Sequence, residues 1–151
     1  MANIVPDSFK AELLAGSHNF EYGVSAQTFK LALYVATLGP PYTTSSTTYS
    51  TSNEVSSVGT NYSAGGNALT LDTLSGSVPG SNTAIVDFVN LTFSSVTLTA
   101  LGAAIYNSST TPANMLCLVL DFGGNKTATS GDFTIQFPNP TAADAIIRLG
   151  D

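Results

Sequence analysis

The sequence predicts an all-β fold, an antiparallel β-sandwich or jelly roll of about eight strands, preceded by an N-terminal arm with a short helix. Three observations predict it. Short apolar runs are interspersed with serine and threonine, which make up about a quarter of the 151 residues. Glycine and proline separate these runs, and no long helical pattern lies between them. This organisation favours sandwiches and jelly rolls over folds built from βαβ units.

The first 27 residues differ in composition from the rest, so we interpret 1–27 as the N-terminal arm and 28–151 as the β-sandwich domain. A short helix is expected in the arm, because Asp7 or Ser8 can cap its first turn and Leu14 ends its apolar pattern.

Two interpretations of the arm stay open. It can pack on its own domain, or it can reach onto a neighbouring subunit. In the second case apolar side chains of the arm would be the capsid or subunit contacts. These are Ile4, Val5, Phe9, Leu13 and Leu14.

The strands are expected where apolar residues alternate with polar ones or form a continuous apolar run. The stretch 43–53 is polar and of low complexity, and is either a surface loop or an edge strand. The remaining predicted strands are 28–34, 67–74, 83–93, 95–107, 115–122, 132–138 and 145–149.

Several details of these strands can be predicted. Strand 28–34 should bury one face, and strand 95–107 should contain a bulge near Gly102, where its alternation slips. Strand 115–122 is continuously apolar, as a central strand buried on both faces would be. The glycine-containing stretches 76–82 and 123–132 are expected to be loops.

Few residues in this chain can do acid–base or nucleophilic chemistry. It has one histidine, His18, one cysteine, Cys117, and no tryptophan. Cys117 lies in an apolar run and is expected to be buried, whereas His18 is expected at a surface turn or as a cap. Catalysis needs positioned acids, bases and activated nucleophiles, so the sequence predicts a protein that is not an enzyme, with no catalytic residues and no cofactor.

The charge balance of the sequence limits the kinds of partner that the protein can bind. Ten acidic and four basic residues give a net charge of −6, which disfavours binding to nucleic acid or to an anionic membrane. Four aspartates could in principle gather around calcium, but their spacing matches no compact binding loop, and we predict no metal site. They are Asp87, Asp121, Asp132 and Asp144.

Three tyrosines lie in the polar part of the chain, at Tyr42, Tyr49 and Tyr62. Tyrosine among serine, threonine and glycine is typical of binding surfaces, which makes these residues candidates for an outer contact surface. The alternative interpretation is that they pin long loops to the β-domain.

Several blocks of the sequence together resemble a family of small virion structural proteins of tailed bacteriophages. The likeness covers nearly the whole chain. The blocks are MANIVPDSFKAELLAG at the start, FKLALY (29–34), TYSTSNEVSSVGTNYSAGGNALT (48–70), AAIYN (103–107), LDFGGNKTATSGDFTIQFP (120–138) and AIIRL (145–149).

The resemblance implies a capsid decoration, or cement, protein. Such a protein binds the major capsid protein on the outer lattice, forms homotrimers and stabilises the capsid by added subunit contacts. It would be made in the host bacterial cytoplasm, which agrees with the lack of a secretory signal pattern at the start, and would reside on the virion surface. The alternative is a tail fibre, baseplate or receptor-binding module that contacts a host glycan or protein.

Overall fold

The computed structural model describes residues 3–21, 27–35 and 42–150, which form one helix and seven strands. All strand pairings are antiparallel, and the prediction of an all-β protein with one short helix is confirmed. The elements are α1 (Asp7–Leu14), β1 (Phe29–Tyr34), β2 (Asn67–Ala68), β3 (Gly76–Val78), β4 (Thr83–Val86), β5 (Leu91–Asn107), β6 (Met115–Ile135) and β7 (Ile147–Leu149).

The described strands form two sheets. One has the order β2-β1-β5-β6 and the other the order β3-β4-β7. The main core lies on one face of the larger sheet, where Leu31, Leu33 and Ile105 are fully buried. Residues of the smaller sheet, including Val86 and Ile147, pack against this core. Strand β1 is buried on both faces rather than on the predicted one, since Ala32 and Tyr34 lie in a second buried cluster.

Strands β5 and β6 form a long ribbon that dominates the larger sheet. The whole stretch 123–132, predicted to be a loop, lies within β6, and part of it pairs with β5. The prediction is wrong because it gave weight to the glycines, whereas the alternation after them is that of a strand. Ala128 is buried between the exposed Thr127 and Thr129, and the Thr127 hydroxyl bonds that of Thr99 at 2.8 Å across the ribbon.

The register of the ribbon is irregular where the sequence predicted it to be. The β5–β6 pairing shifts between Ala100 and Gly102, so the irregularity lies where the bulge was predicted. Its extra residues belong to β6 and not to β5, because four residues of β6, 122–125, lie opposite one residue of β5. A further shift between Phe93 and Val96 keeps both of these side chains buried. Each bulge changes which residues face the core, and this lets a long strand hold its apolar side on one face.

Strand β6 is an edge strand of the larger sheet, not the predicted central strand. Residues 116–119 are nevertheless buried, as predicted. Segments outside the named strands cover the open edge through isolated antiparallel bridges, Ile4 with Val119 and Thr48 with Met115. A continuous apolar run therefore reports burial on both faces, but not the position of the strand in the sheet.

The predicted strand 83–93 is interrupted. Its first part is β4 in the smaller sheet and its last residues begin β5 in the larger one. Between them lies the buried Asp87. The predicted loop 76–82 contains β3, and of the predicted strand 67–74 only β2 and an isolated bridge at Leu71 are present.

The predicted helix is confirmed as α1, but no side chain caps it, and Pro6 occupies the N-cap position. Phe9 of this helix is buried in the main core, so the described part of 1–27 packs on its own chain. Residues 1–2 and 22–26 of the predicted arm lie outside the described residues.

Candidate functional site

Five tyrosines and one glutamate form a connected cluster between the segment 42–66 and the larger sheet. We call it the tyrosine network. Its members come from β1, β5 and the polar segment, and they are Tyr34, Tyr42, Tyr49, Tyr62, Tyr106 and Glu54. It lies where the sequence placed a binding surface.

Glu54 is the acceptor at the centre of this network. Its Oε1 accepts hydrogen bonds from the Tyr62 hydroxyl at 2.7 Å and from the Gly65 N–H at 2.6 Å, and its Oε2 accepts one from the Tyr49 hydroxyl. The Tyr62 oxygen in turn accepts the Leu33 N–H at 3.0 Å. The carboxylate therefore connects three points of the polar segment to strand β1.

Burial raises the pKa of Tyr62 and of Tyr49 above the ordinary value of 10.0, and the hydrogen bonds to Glu54 add to both rises. Burial also raises the pKa of Tyr106 to about 12. These phenols thus stay protonated at neutral pH and act as donors. Tyr106 donates to the Gly65 carbonyl oxygen at 2.7 Å.

A second part of the tyrosine network, formed by Tyr34 and Tyr42, contacts the first half of the polar segment 42–66. The hydroxyls of Tyr34 and Tyr42 are 2.7 Å apart, and the rings meet edge to face with centroids at 5.3 Å. The Tyr34 hydroxyl donates to the Ser50 carbonyl oxygen at 2.6 Å, and the Ser50 N–H donates to the Tyr42 oxygen at 2.7 Å. The two tyrosine hydroxyls thus form hydrogen bonds with both backbone polar groups of Ser50.

The three tyrosines predicted as outer contacts do not form an exposed surface. Tyr42 and Tyr62 are only 1% and 3% exposed, and Tyr49 is half-buried with its ring stacked on Tyr106 at 4.5 Å. The interpretation as surface contacts is wrong for Tyr42 and Tyr62 in this fold, because the phenols satisfy buried polar groups. The alternative, in which tyrosines pin a loop to the β-domain, describes their placement.

The five apolar side chains proposed as contacts of the arm divide into two groups. Phe9 is buried in the main core and Ile4 packs against the second cluster beside Val119. Leu13 is half-buried and also packs against the main core. These three side chains hold the segment on its own chain. Val5 is exposed, and Leu14 is 93% exposed.

A groove of about 460 Å³ opens between α1 and strand β7. We call it the terminal groove. Its floor includes Phe9 and Leu118, and the exposed Val5 and Leu149 stand at its rim. Its apolar lining comes from Val5, Phe9, Leu13, Leu118, Ile147 and Leu149. Polar atoms, including those of Thr83 and Arg148, also line it and make up more than half of its exposed lining. Residues from the two ends of the described chain therefore form one mixed surface with exposed apolar side chains at its rim.

The structure brings together the one histidine and the one cysteine of the sequence. His18 is buried, and its Nδ1 lies 3.9 Å from the Cys117 Sγ. Its Nε2 lies 2.8 Å from the Glu12 Oε2. The prediction of a surface or capping histidine is wrong, because the ring packs against Phe9 at 5.0 Å between centroids.

The hydrogen bonds of this thiol, imidazole and carboxylate are those of structural groups and not of a reactive triad. The Asn107 Nδ2, which only donates, contacts His18 Nδ1 at 3.1 Å, so Nδ1 accepts and the proton sits on Nε2 facing Glu12. Burial raises the pKa of the Cys117 thiol well above its usual range. A neutral, buried thiol whose imidazole neighbour already accepts another hydrogen bond is not an activated nucleophile.

In the part of the chain that the structure describes, no three His, Cys, Asp or Glu side chains gather where they could hold a metal ion. Over the same residues, the only helix is far too short to span a membrane.

Comparison with family models, with curated proteins and with solved structures found no significant match to this chain. The terminal groove and the tyrosine network must therefore be interpreted from their own chemistry.

Proposed function

We propose that this chain is a non-enzymatic structural protein of a tailed-phage virion, a decoration protein that binds the major capsid protein and stabilises the lattice. The observation that carries the proposal is the terminal groove with its exposed apolar rim. Exposed apolar side chains at a concave surface mark contact sites. Here they occur on a chain with only 9% charged residues, whose serine- and threonine-rich surface suits close packing against other subunits.

We infer that the two antiparallel sheets act as the two layers of a sandwich related to the jelly roll, and that the protein assembles as a homotrimer on the capsid surface. The tyrosine network fixes the polar segment on the β-domain, and a rigid domain suits a protein that stabilises a capsid. The domain keeps its shape while the docking surface contacts the capsid.

The docking contacts of the proposal differ from those that the sequence favoured. Val5, Leu14 and Leu149 point outward and are assigned to the capsid or a neighbouring subunit. Phe9 and Ile4 hold the segment in place. Removing residues 2–15 would therefore take away part of the core, and point substitutions are the cleaner test.

Binding to purified capsids, measured by co-sedimentation, tests this assignment. Leu149→Asp combined with Val5→Asp should weaken binding at least about tenfold, since charges would enter an apolar contact at the rim of the groove. Val58→Asp is the matched control, because Val58 is 85% exposed on a turn of the polar segment, and it should bind as the parent does. Equal binding by the double variant and the control would remove the terminal groove from the docking surface.

The copy number in purified virions tests the location. Quantitative mass spectrometry should find hundreds of copies per particle for a decoration protein, whereas a small multiple of six indicates a tail component. The tail alternative gains no support from the tyrosines, because Tyr42 and Tyr62 are buried. Absence of the chain from virions would reject both locations.

A further inference from the structure

Two carboxylates face each other where the chain passes from the smaller sheet to the larger one. Leu71 and Phe88 form an isolated antiparallel bridge, and the Asp72 N–H donates to the Asp87 carbonyl oxygen at 2.9 Å. This register sets Asp72 directly opposite Asp87. Residues opposed in this way project to the same side, with Cβ atoms about 5 Å apart, and like charges there repel each other.

The Asp87 carboxylate is only partly satisfied. The residue is 0% exposed, and its Oδ1 accepts the Phe88 N–H at 2.8 Å. Its Oδ2 has no hydrogen-bond partner, the one such buried side-chain atom among the described residues. Burial raises the pKa of the Asp87 carboxyl and the charge of Asp72 adds to the rise, whereas the backbone N–H groups of Phe88 and Ile146 act in the opposite direction. A buried carboxylate oxygen without a donor is costly unless a proton or a cation neutralises it.

The described part of the chain supplies no side-chain cation for this pair. Lys10 pairs with Asp7 at 2.9 Å, and the Arg148 guanidinium donates to the Ala143 carbonyl oxygen. No ion pair in the described residues includes Asp72 or Asp87. A shared proton does not join the two carboxyls directly either, because no oxygen of Asp72 forms a hydrogen bond with the Asp87 Oδ2.

We propose that Asp72 and Asp87 together bind one divalent cation of the calcium type. The Asp87 Oδ2 is the buried ligand. The Asp72 Oδ1 accepts the Leu74 N–H at 2.8 Å, and in the proposal the second oxygen of this carboxylate is the other protein ligand. Asp72 is half-buried, so the ion can enter from solvent. The inference does not depend on the proposed function.

Calcium is the cation that this chemistry suits. It prefers hard oxygen ligands, takes about six to eight of them, and tolerates irregular geometry. No third acidic, histidine or cysteine side chain joins the pair in the described chain, so water and backbone carbonyls complete the shell. A site with two carboxylates and much water belongs in the weak range, with a dissociation constant of about 10⁻⁴ to 10⁻³ M.

Such an ion would strengthen the junction between the sheets. Ser75 already holds the Asp87 backbone, since its Oγ accepts the Asp87 N–H at 3.0 Å and donates to the Asp87 carbonyl oxygen at 3.1 Å. A cation on the side chains would fasten the same turn to the same residue. Binding should therefore appear as stability, because a ligand that binds only the folded state raises the melting temperature.

Thermal unfolding of the full chain at pH 7 tests the site, with calcium chloride up to about 10 mM against EDTA at matched ionic strength. The parent protein should melt several degrees higher in calcium, and Asp72→Asn should lose this shift. Asp132→Asn is the matched control, since Asp132 is an exposed carboxylate on the β5–β6 ribbon, and it should keep the shift. Calorimetric titration of calcium gives the affinity independently of unfolding.

Two results would overturn the proposal. One is a parent protein whose melting temperature and calorimetric signal do not respond to calcium. The other is a calcium shift that Asp72→Asn retains in full. If the parent protein does not respond to calcium but becomes more stable at lower pH, the proposal is also overturned. That result would mean that a proton, and not a cation, neutralises the pair.

Discussion

Glu54 is half-buried and Asp87 is fully buried in a chain with few charges, and the surroundings of these two carboxylates differ. Glu54 accepts three hydrogen bonds, from two tyrosine hydroxyls and one backbone N–H. Asp87 accepts one on Oδ1 and none on Oδ2. Burial alone therefore does not determine whether a carboxylate is satisfied within the fold. The number of donors that face it separates a structural anchor from a group that still needs a positive partner.

The difference arises from what lies beside each residue. Glu54 belongs to the polar segment 42–66, which carries its own donors, Tyr49, Tyr62 and Gly65. Asp87 lies between β4 and β5, where its neighbours Val86 and Phe88 are apolar. Four experiments test this contrast, and they are ordered by the size of the change in stability that we expect.

Gly66→Ala should have the largest effect. Gly66 has φ +69°, and a Cβ there would lie 1.8 Å from the Leu31 carbonyl oxygen. The segment that brings the Gly65 N–H to Glu54 could not approach β1, and we expect a loss of more than about 4 kcal/mol in the free energy of unfolding in urea. Gly59→Ala, at φ +72° with open space around it, should lose only about 1 kcal/mol. Similar losses would mean that close approach at Gly66 is unimportant.

Glu54→Ala should cost about 3 kcal/mol, because three donors lose a charged acceptor at once. Chemical denaturation at pH 7 measures the loss. The exposed Glu21 offers the control, since Glu21→Ala should stay within about 0.5 kcal/mol of the parent. A Glu54→Ala protein as stable as the control would show that Glu54 does not anchor the network.

Asp87→Asn should change stability in the opposite direction. In calcium-free buffer at pH 7 the amide removes a buried charge and the repulsion from Asp72, and we expect a gain of about 1 kcal/mol.

The pH dependence of Asp87 has a definite sign. Because the folded-state pKa is raised, the folded protein holds this proton more tightly than the unfolded chain. The parent should therefore lose stability as pH rises from about 4, the unfolded value, through the folded-state pKa. Asp87→Asn should lack this loss, so the difference between the two proteins should grow with pH. A variant that is less stable than the parent at every pH would contradict this view of Asp87.

Tyr106→Phe should have the smallest effect. It removes one neutral hydrogen bond, to the Gly65 carbonyl oxygen, and keeps the stacked ring, so about 1 kcal/mol is expected. Tyr49→Phe should cost more, because Tyr49 donates to the Glu54 carboxylate and bonds to charged groups are stronger. If the two variants lose the same stability in urea, the charge on Glu54 adds nothing to the network.

Alternation and turn residues predicted a large part of the fold. The helix, strand β1, the end of β6 and the bulge near Gly102 were predicted from local pattern, because each depends on which side chains of one short segment face the core. Predictions failed where pairing partners decided the outcome. The stretch after Gly123 continues β6 because β5 lies beside it, and the run 115–122 lies at a sheet edge because Ile4 and Thr48 cover it.

The candidate sites were harder to predict than the fold. Tyrosines in a polar stretch indicated contact, and only the position of Glu54 shows that the contact is within the chain. His18 and Cys117 are 99 residues apart, and no local signal relates them. Asp72 was missed altogether, because its importance comes from the register that sets it opposite Asp87.

The all-β class, the short helix, the scarcity of reactive groups and the low charge can be derived from the amino-acid sequence alone. They follow from composition and from periodicity within single segments. Which polar groups meet is visible only in the fold: the donors around Glu54, the imidazole beside the thiol, and the paired aspartates. Strand register and loop closure join these distant residues, and the energies that select them depend on contacts that no single segment contains.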